Sequence, residues 1–337
     1  MSKKLMKRRI KCAVLGAMLL LGATAGAQDI GFSQFYANPL YLNPAFAGSA
    51  VAPRISLTYR AQWPGLVSAF TTVSASYDQY FPDLHGGLGF IVMTDRVGDH
   101  GALSTNMFGV MYAFRFQVSR DIYASAALQA SIVNTHLSWD EYLRFPDQID
   151  REMGFSYNTQ ATPPDKLSQW SPDFNAGILL SGSKWYAGFA ASHLTQPNVA
   201  FYSTDPVPMK FTVHGGGLIN VAEESRRQSS LGLGTPIISP NIVYQYQGGF
   251  HYFNYGLYLD WMPFLVGVWF RHGTENTDAF IFQAGIQQDY FKVGYSYDVT
   301  ISKLANSTAG AHEITLGVLL PVPEHKKKVK AIRCPSF

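Results

Sequence analysis

Cysteine is nearly absent. The 337 residues hold two, Cys12 and Cys334, and Cys12 lies in an apolar stretch near the start, so its removal would leave no intramolecular disulfide. A secreted chain of this size must then be held together in another way. Long apolar runs are also missing. No 18-residue apolar stretch follows residue 27, which excludes an ordinary helical membrane protein. A basic surplus is lacking where it would matter: the formal charge is +3, yet Gln28 to Leu320 holds 15 basic and 22 acidic side chains. That argues against a nucleic-acid binder, which needs a basic stripe. Metal-site spacing is absent as well. His136, His193, His214, His251 and His272 show no H-E-x-x-H pattern, and the charged groups Asp95, Arg96 and Asp99, or Glu275 and Asp278, read as turns without EF-hand spacing. Nothing brings a Ser, a His and an acid together for a hydrolase. No catalytic residue, metal or cofactor is expected.

What is present begins with an address. Lys3, Lys4, Lys7, Arg8 and Arg9 precede an apolar run from Cys12 to Gly22, which ends in Ala25-Gly26-Ala27. This has the form of a secretory signal peptide over 1–27, with a signal-anchor as the alternative. Cys12 lies inside the run with no Leu-x-x-Cys at its end, which argues against lipoprotein processing. From there the chain alternates with period two. Phe291, Val293, Tyr295 and Tyr297 are set against Lys292, Gly294, Ser296 and Asp298, and Val73, Ala75 and Tyr77 against Thr72, Ser74, Ser76 and Asp78. Such alternation belongs to strands. It suits either a soluble sandwich or a barrel with an apolar lipid face and a small, polar lumen face. Strand stretches of nine or more residues favour the barrel, as do rings near strand ends (Tyr112, Tyr123, Trp185, Tyr186, Trp261, Trp269, Tyr290) and a need to close edges without disulfides. The expected fold is all-β, a transmembrane antiparallel outer-membrane β-barrel of about 14 strands over 54–320. Its candidate strands are 54–61, 66–78, 84–94, 102–117, 120–135, 173–181, 184–192, 210–220, 241–248, 251–260, 263–271, 278–288, 290–298 and 312–320. Leu231 to Gly234 is read as loop. Long connections are expected at 136–172 and 221–240, with Pro146, Pro163, Pro164, Pro236 and Pro240 in them, the first a candidate for filling the lumen or binding a partner. A basic tail, 321–337, closes the chain.

Between leader and barrel lies a segment without periodicity, 28–53, rich in aromatics and carrying two Asn-Pro steps, Asn38-Pro39 and Asn43-Pro44. Proline sets φ and removes a donor, and asparagine caps turns. The segment could plug the lumen, present a surface at the barrel mouth, or serve as a lead-in sealing the base, which is the expectation. Its candidates for partner contact or structure are Phe32, Phe35, Tyr36, Asn38, Pro39, Tyr41, Asn43 and Pro44. Arg60 and Trp63, near a strand end, are added as partners for a lumen acid or members of an interface belt.

The string Gln28-Asp29-Ile30-Gly31-Phe32-Ser33-Gln34-Phe35-Tyr36-Ala37-Asn38-Pro39-Leu40-Tyr41-Leu42-Asn43-Pro44-Ala45-Phe46-Ala47-Gly48 closely resembles the opening of the PorP/SprF family, outer-membrane proteins of the type IX secretion and gliding systems of Bacteroidetes. Similar pieces follow in order: Tyr59-Arg60-Ala61-Gln62-Trp63-Pro64, Gly86-Gly87-Leu88-Gly89, Pro172-Asp173-Phe174-Asn175-Ala176-Gly177, His193-Leu194-Thr195-Gln196-Pro197 and Ser296-Tyr297-Asp298-Val299-Thr300-Ile301-Ser302. Ile30 departs from the Gln-Asp-Pro that many members resemble. The resemblance implies a non-enzymatic barrel of about fourteen strands in the cell outer membrane, in contact with its lipid. It would work beside the secretion translocon and bind a secreted surface adhesin through the adhesin's C-terminal sorting domain. A periplasmic peptidoglycan-binding lipoprotein is a further implied partner. The alternative is an outer-membrane channel or transporter for a small solute. Which it is turns on whether the lumen is open or filled.

Overall fold

The computed structural model describes residues 29–66, 69–98, 101–139, 143–150, 152–202, 204–221, 235–274, 279–288, 290–301 and 309–321. The leader, the basic tail with Cys334, and Leu231 to Gly234, Asp99, Glu275, Asp278 and Ser302 lie outside them.

Fourteen strands follow one another: β1 (Arg54–Gln62), β2 (Phe70–Phe81), β3 (Gly86–Val97), β4 (Leu103–Ser119), β5 (Ile122–Leu137), β6 (Ser168–Ser181) and β7 (Trp185–Ser192). The second half is β8 (Lys210–Gly217), β9 (Ile237–Gln247), β10 (Phe250–Trp261), β11 (Phe264–Gly273), β12 (Ala279–Gln287), β13 (Phe291–Thr300) and β14 (Ala311–Leu319). Each pairs antiparallel with its sequence neighbours. β1 closes the ring on β14 from Arg54↔Leu319 to Gln62↔Ala311. The result is a closed fourteen-strand barrel with no free edge.

The polarity of this barrel is inverted relative to a soluble protein. Facing outward and exposed are Phe108, Val110, Tyr112, Phe114 and Phe116 of β4, and Phe253, Tyr255, Leu257, Leu259 and Trp261 of β10. Facing inward and buried are Ser56, Thr58 and Arg60 of β1, and Thr72, Ser74, Ser76 and Asp78 of β2. A soluble sandwich places its apolar face inside, so these strands face lipid. No described helix is long and apolar enough to cross a membrane; the strands make the crossing, and closure satisfies their backbone without water.

Several details depart from the alternation as read. Tyr186 and Trp269 turn inward and are buried, and Tyr123 packs against the guanidinium of buried Arg115, 4.7 Å from its ring centroid. All three line the lumen instead of an interface belt. Asp95 and Arg96 stand within β3, not in a turn. The first long connection shrinks to 138–167, because β6 begins at Ser168 and includes Pro172; the second moves to 218–236, because β8 ends at Gly217 and β9 begins at Ile237 and includes Pro240. Proline cannot donate to a ladder, and at Pro240 the gap is filled locally: the Ser239 hydroxyl donates to Gly217 O at 2.8 Å.

At the end where β1 begins, the turns 82–85, 120–121, 182–184, 262–263 and 288–290 are short, with 218–236 the one long connection. The far end carries 63–69, 98–102, 138–167, 193–209 and 301–310.

The conventional hydrophobic core lies inside the barrel. Residues 29–49 run down the lumen, and Phe32, Phe35, Tyr36, Leu40, Leu42 and Phe46 are buried against Met93, Met107, Met111, Leu179, Tyr258 and Trp269 of the wall. A four-residue helix, α1 (Pro39–Leu42), and a 3-10 turn, Pro44–Phe46, each begin on a proline.

Lipid exposure of the outer face gives a direct test. Val110→Arg, at the middle of β4, should destabilise the barrel in bilayers by about 2–4 kcal/mol, read as a lower denaturation midpoint in a gel-shift assay of folded barrel. A soluble sandwich would tolerate the same exposed change with little effect.

Candidate functional site

The lumen segment is held at three levels. At the near end, where it turns into β1, the Arg54 and Asp78 side chains form a bidentate pair, Nε to Oδ1 at 2.8 Å and Nη2 to Oδ2 at 3.1 Å. Arg54 Nη2 also donates to Phe46 O and Ser49 Oγ, both at 3.3 Å, and Gly48 N donates to Asp78 Oδ2 at 2.7 Å. Gly48 has φ +70°, and a Cβ there would meet Gly87 Cα at 2.6 Å, so backbone passes directly over backbone and only glycine fits.

At mid-height the two Asn-Pro steps are fastened to the wall. Asn38 Nδ2 donates to Ser74 Oγ at 3.1 Å. Asn43 divides its amide: Oδ1 caps the following turn by accepting from Ala45 N at 2.9 Å, while Nδ2 donates to Ile178 O at 3.1 Å and Phe189 O at 3.3 Å. Gly177 lies where a side chain would overlap that amide. Above them sits a charge cluster. Ser33 N and Gln34 N donate to the two Glu313 oxygens at 2.7 and 3.0 Å, and Ser33 Oγ donates to Asp298 Oδ2 at 2.6 Å. Arg60 pairs with Glu313 at 3.0 Å and Asp298 at 3.2 Å, and Arg271 with Asp298 at 3.2 Å. Two cations and two anions cancel, and the backbone of the segment is part of the network.

Toward the far end Asp29 is clasped by β8, β9 and the loop after β7. Its N–H donates to Gln247 Oε1 at 3.0 Å, and Gln247 Nε2 returns a bond to Oδ1 at 3.0 Å. Oδ2 accepts from Lys210 Nζ at 2.5 Å and faces His193 Nε2 at 2.9 Å. His193 Nδ1 lies 3.0 Å from Asp173 Oδ2, an ion-pair contact without hydrogen-bond alignment. Burial opposes the His193 imidazolium, but its contacts with the Asp173 and Asp29 carboxylates outweigh it, and the pKa is pushed up to about 9.

The sequence candidates are thus largely gathered in one place. Phe32 meets Tyr41 edge-on, with centroids 5.0 Å apart. Phe35 and Tyr36 pack on Trp269 at 5.0 and 6.2 Å. Pro39 and Pro44 start the two turns, and Arg60 joins the cluster. Trp63 stands apart, half-buried just beyond β1 and edge-on to Phe70 at 5.6 Å. Glu313 and Asp298 meet in a lumen hydrogen-bond network, the reading that their places near the last hairpin favour. Ser33, Gln34 and the Asp29–Lys210–His193–Asp173 set also hold the segment, and nothing in the sequence singles them out; for Lys210 and Asp173 the inward parity of their strands is the available signal. Among the described residues no group of three or more His, Cys, Asp or Glu side chains is placed to hold a metal ion.

A cleft of about 680 Å³ remains above the segment, in the far half of the lumen, bounded below by Asp29, Ile30, Gly31 and Tyr41. A closed barrel with a lipid-facing exterior and a lumen occupied by its own N-terminal segment defines a plugged transmembrane β-barrel of the outer membrane. The family model described as "Type IX secretion system membrane protein PorP/SprF" matches residues 24–318, and the chain belongs to that family. It is a non-enzymatic outer-membrane component. Comparison with curated protein sequences found no match. Among solved structures the chain is similar to a TodX deltaS2S3 mutant monoaromatic hydrocarbon channel, at 10% identity over 88% of this chain and 95% of that one, TM-score 0.47. It is similar also to a Pseudomonas aeruginosa FadL homologue, at 12% identity over 87% and 99%, TM-score 0.43. A third is Acinetobacter baumannii Omp33, at 8% identity over 80% and 100%, TM-score 0.42.

Two outcomes follow from these contacts. Glu313→Ala removes the acceptor of two segment N–H groups and one partner of Arg60, so it should cost about 3–5 kcal/mol, measured by urea denaturation in lipid. The His193 clasp should weaken at alkaline pH. Its pKa is raised on folding, so its contribution is complete below about 6.5 and fades as pH rises through about 9. Between pH 7 and 10 the wild-type midpoint should fall further than that of His193→Gln, compared at each pH because Asp29, Asp173 and Lys210 are present in both.

Proposed function

We propose that this protein is an adaptor of type IX secretion that binds a secreted surface protein at its far end and engages periplasmic partners at its near end. The far end is taken as the cell surface, since short turns and strand termini mark the periplasmic side of such barrels. The filled lumen carries this reading. From Phe32 to Ala47 the segment is buried almost throughout and is tied to the wall by ion pairs and hydrogen bonds at every level. Solute conduction would require breaking the Glu313, Asn43 and Arg54 contacts together. Binding at the ends requires none of this. The sorting domain of a secreted protein, a peptidoglycan-binding lipoprotein and the translocon are the partners that the family's place in secretion supplies.

A locked plug separates adaptor from transporter. Asn38 Nδ2 and Ser74 Oγ are 3.1 Å apart, and Asn38→Cys with Ser74→Cys should form a bridge fixing the segment to β2. Under the adaptor reading, the oxidised variant still co-purifies with a surface protein or periplasmic lipoprotein at wild-type yield, and wild type in planar bilayers shows no steady conductance. A steady wild-type conductance, or loss of solute uptake on oxidation with restoration on reduction, overturns it.

A further inference from the structure

Among the described residues the charged groups around the far cleft balance except at one point. Asp29 and Asp173 are set against Lys210 and His193, and the deeper cluster of Arg60, Arg271, Asp298 and Glu313 is neutral. Asp95, 8% exposed, faces the cleft with a single side-chain hydrogen bond, from Thr72 Oγ1 at 2.6 Å, and among the described residues no cation pairs with it. Nearby in the same row, the Thr135 hydroxyl is buried without a hydrogen-bond partner among the described residues. Thr72, Asp95, Thr105 and Thr135 stand at one level across β2, β3, β4 and β5, matched residue to residue by register. Neighbouring strands lie about 4.8 Å apart, so this is a polar row crossing four strands. The next inward level below it, Met93, Met107 and Val133, is apolar and also lines the cleft. Phe201 and Val207 from the loop after β7 face it.

A carboxylate buried beside apolar surface without a cation is costly, and a ligand cation relieves that cost. The volume, about 680 Å³, lies within the usual range of about 300–1,000 Å³ for sites that enclose an organic ligand. We propose that this cleft binds a short polypeptide segment with a basic side chain. The ammonium or guanidinium sits on Asp95, the threonine hydroxyls meet the segment's polar groups, and its apolar neighbours pack on Met93, Met107 and Val133. That the ligand is peptide, from a secreted protein, rests on the adaptor reading; the cation site does not.

The test is calorimetry on the full mature protein in detergent, with acetyl-Leu-Lys-Leu-amide, acetyl-Leu-Gln-Leu-amide and n-hexylammonium as probes. Saturable binding of the lysine peptide, at least tenfold tighter than the glutamine peptide, is expected. Asp95→Asn keeps an acceptor for Thr72 and should abolish that preference with a denaturation midpoint equal to or above that of wild type; Thr135→Val should weaken both peptides. Absent saturable binding by wild type, or an undiminished lysine preference in Asp95→Asn, overturns the site. Hexylammonium binding as tightly as the lysine peptide overturns the peptide assignment. If Asp95→Asn loses the lysine preference while cells carrying it keep their surface protein, the cation site stands and its assignment to the secreted partner falls.

Discussion

Everything in this molecule depends on satisfying the polar groups that face the lumen. Closing fourteen strands in a membrane sends the apolar side chains outward and leaves Ser56, Thr58, Arg60, Asp78, Asp298 and Glu313 facing one another inside. Their hydrogen bonds must be met there. The chain meets them with its own N-terminal segment, whose backbone N–H groups at Ser33, Gln34 and Gly48 reach lumen carboxylates. The same segment supplies the apolar core that the barrel wall, with one face in lipid and the other polar, cannot form alone.

This arrangement explains why the wall is built from small residues on one side. Gly87 and Gly177 admit Ala47 and Asn43 to the wall, and larger side chains there would push the segment out. Because the segment is fastened at the base, the middle and the far half, it behaves as part of the wall. Function then moves to the surfaces the segment leaves uncovered: the ends of the barrel, and the cleft above Asp29 and Tyr41 in which Asp95 stands.

Much of the fold is legible in the sequence, and what is not has physical causes. All fourteen strands were visible as period-two segments, since alternation repeats along each strand. Their boundaries slipped at Pro172 and Pro240, where proline reads as a breaker; at Pro240 a neighbouring hydroxyl does the work of the missing N–H. Trp269 and Tyr186 look like belt residues because ring side chains near strand ends resemble one another; the direction each faces follows from strand phase. The aperiodic segment was visible as such, and its Asn-Pro steps marked it as ordered. Whether it entered the lumen was not visible, because small polar inward residues leave room for water and for chain alike.

Sequence alone therefore determined what is local: the alternation, hence which side chains face lipid, and the turn-forming Asn38-Pro39 and Asn43-Pro44 steps. Both arise from backbone geometry over a few residues. Only the folded barrel decided which inward residues meet. Arg60 and Glu313 are 253 positions apart, and they touch because β1 closes on β14 in one register, with Ser33 brought between their strands and β13. Ring closure and register sum over every strand in the barrel, so no local pattern encodes them.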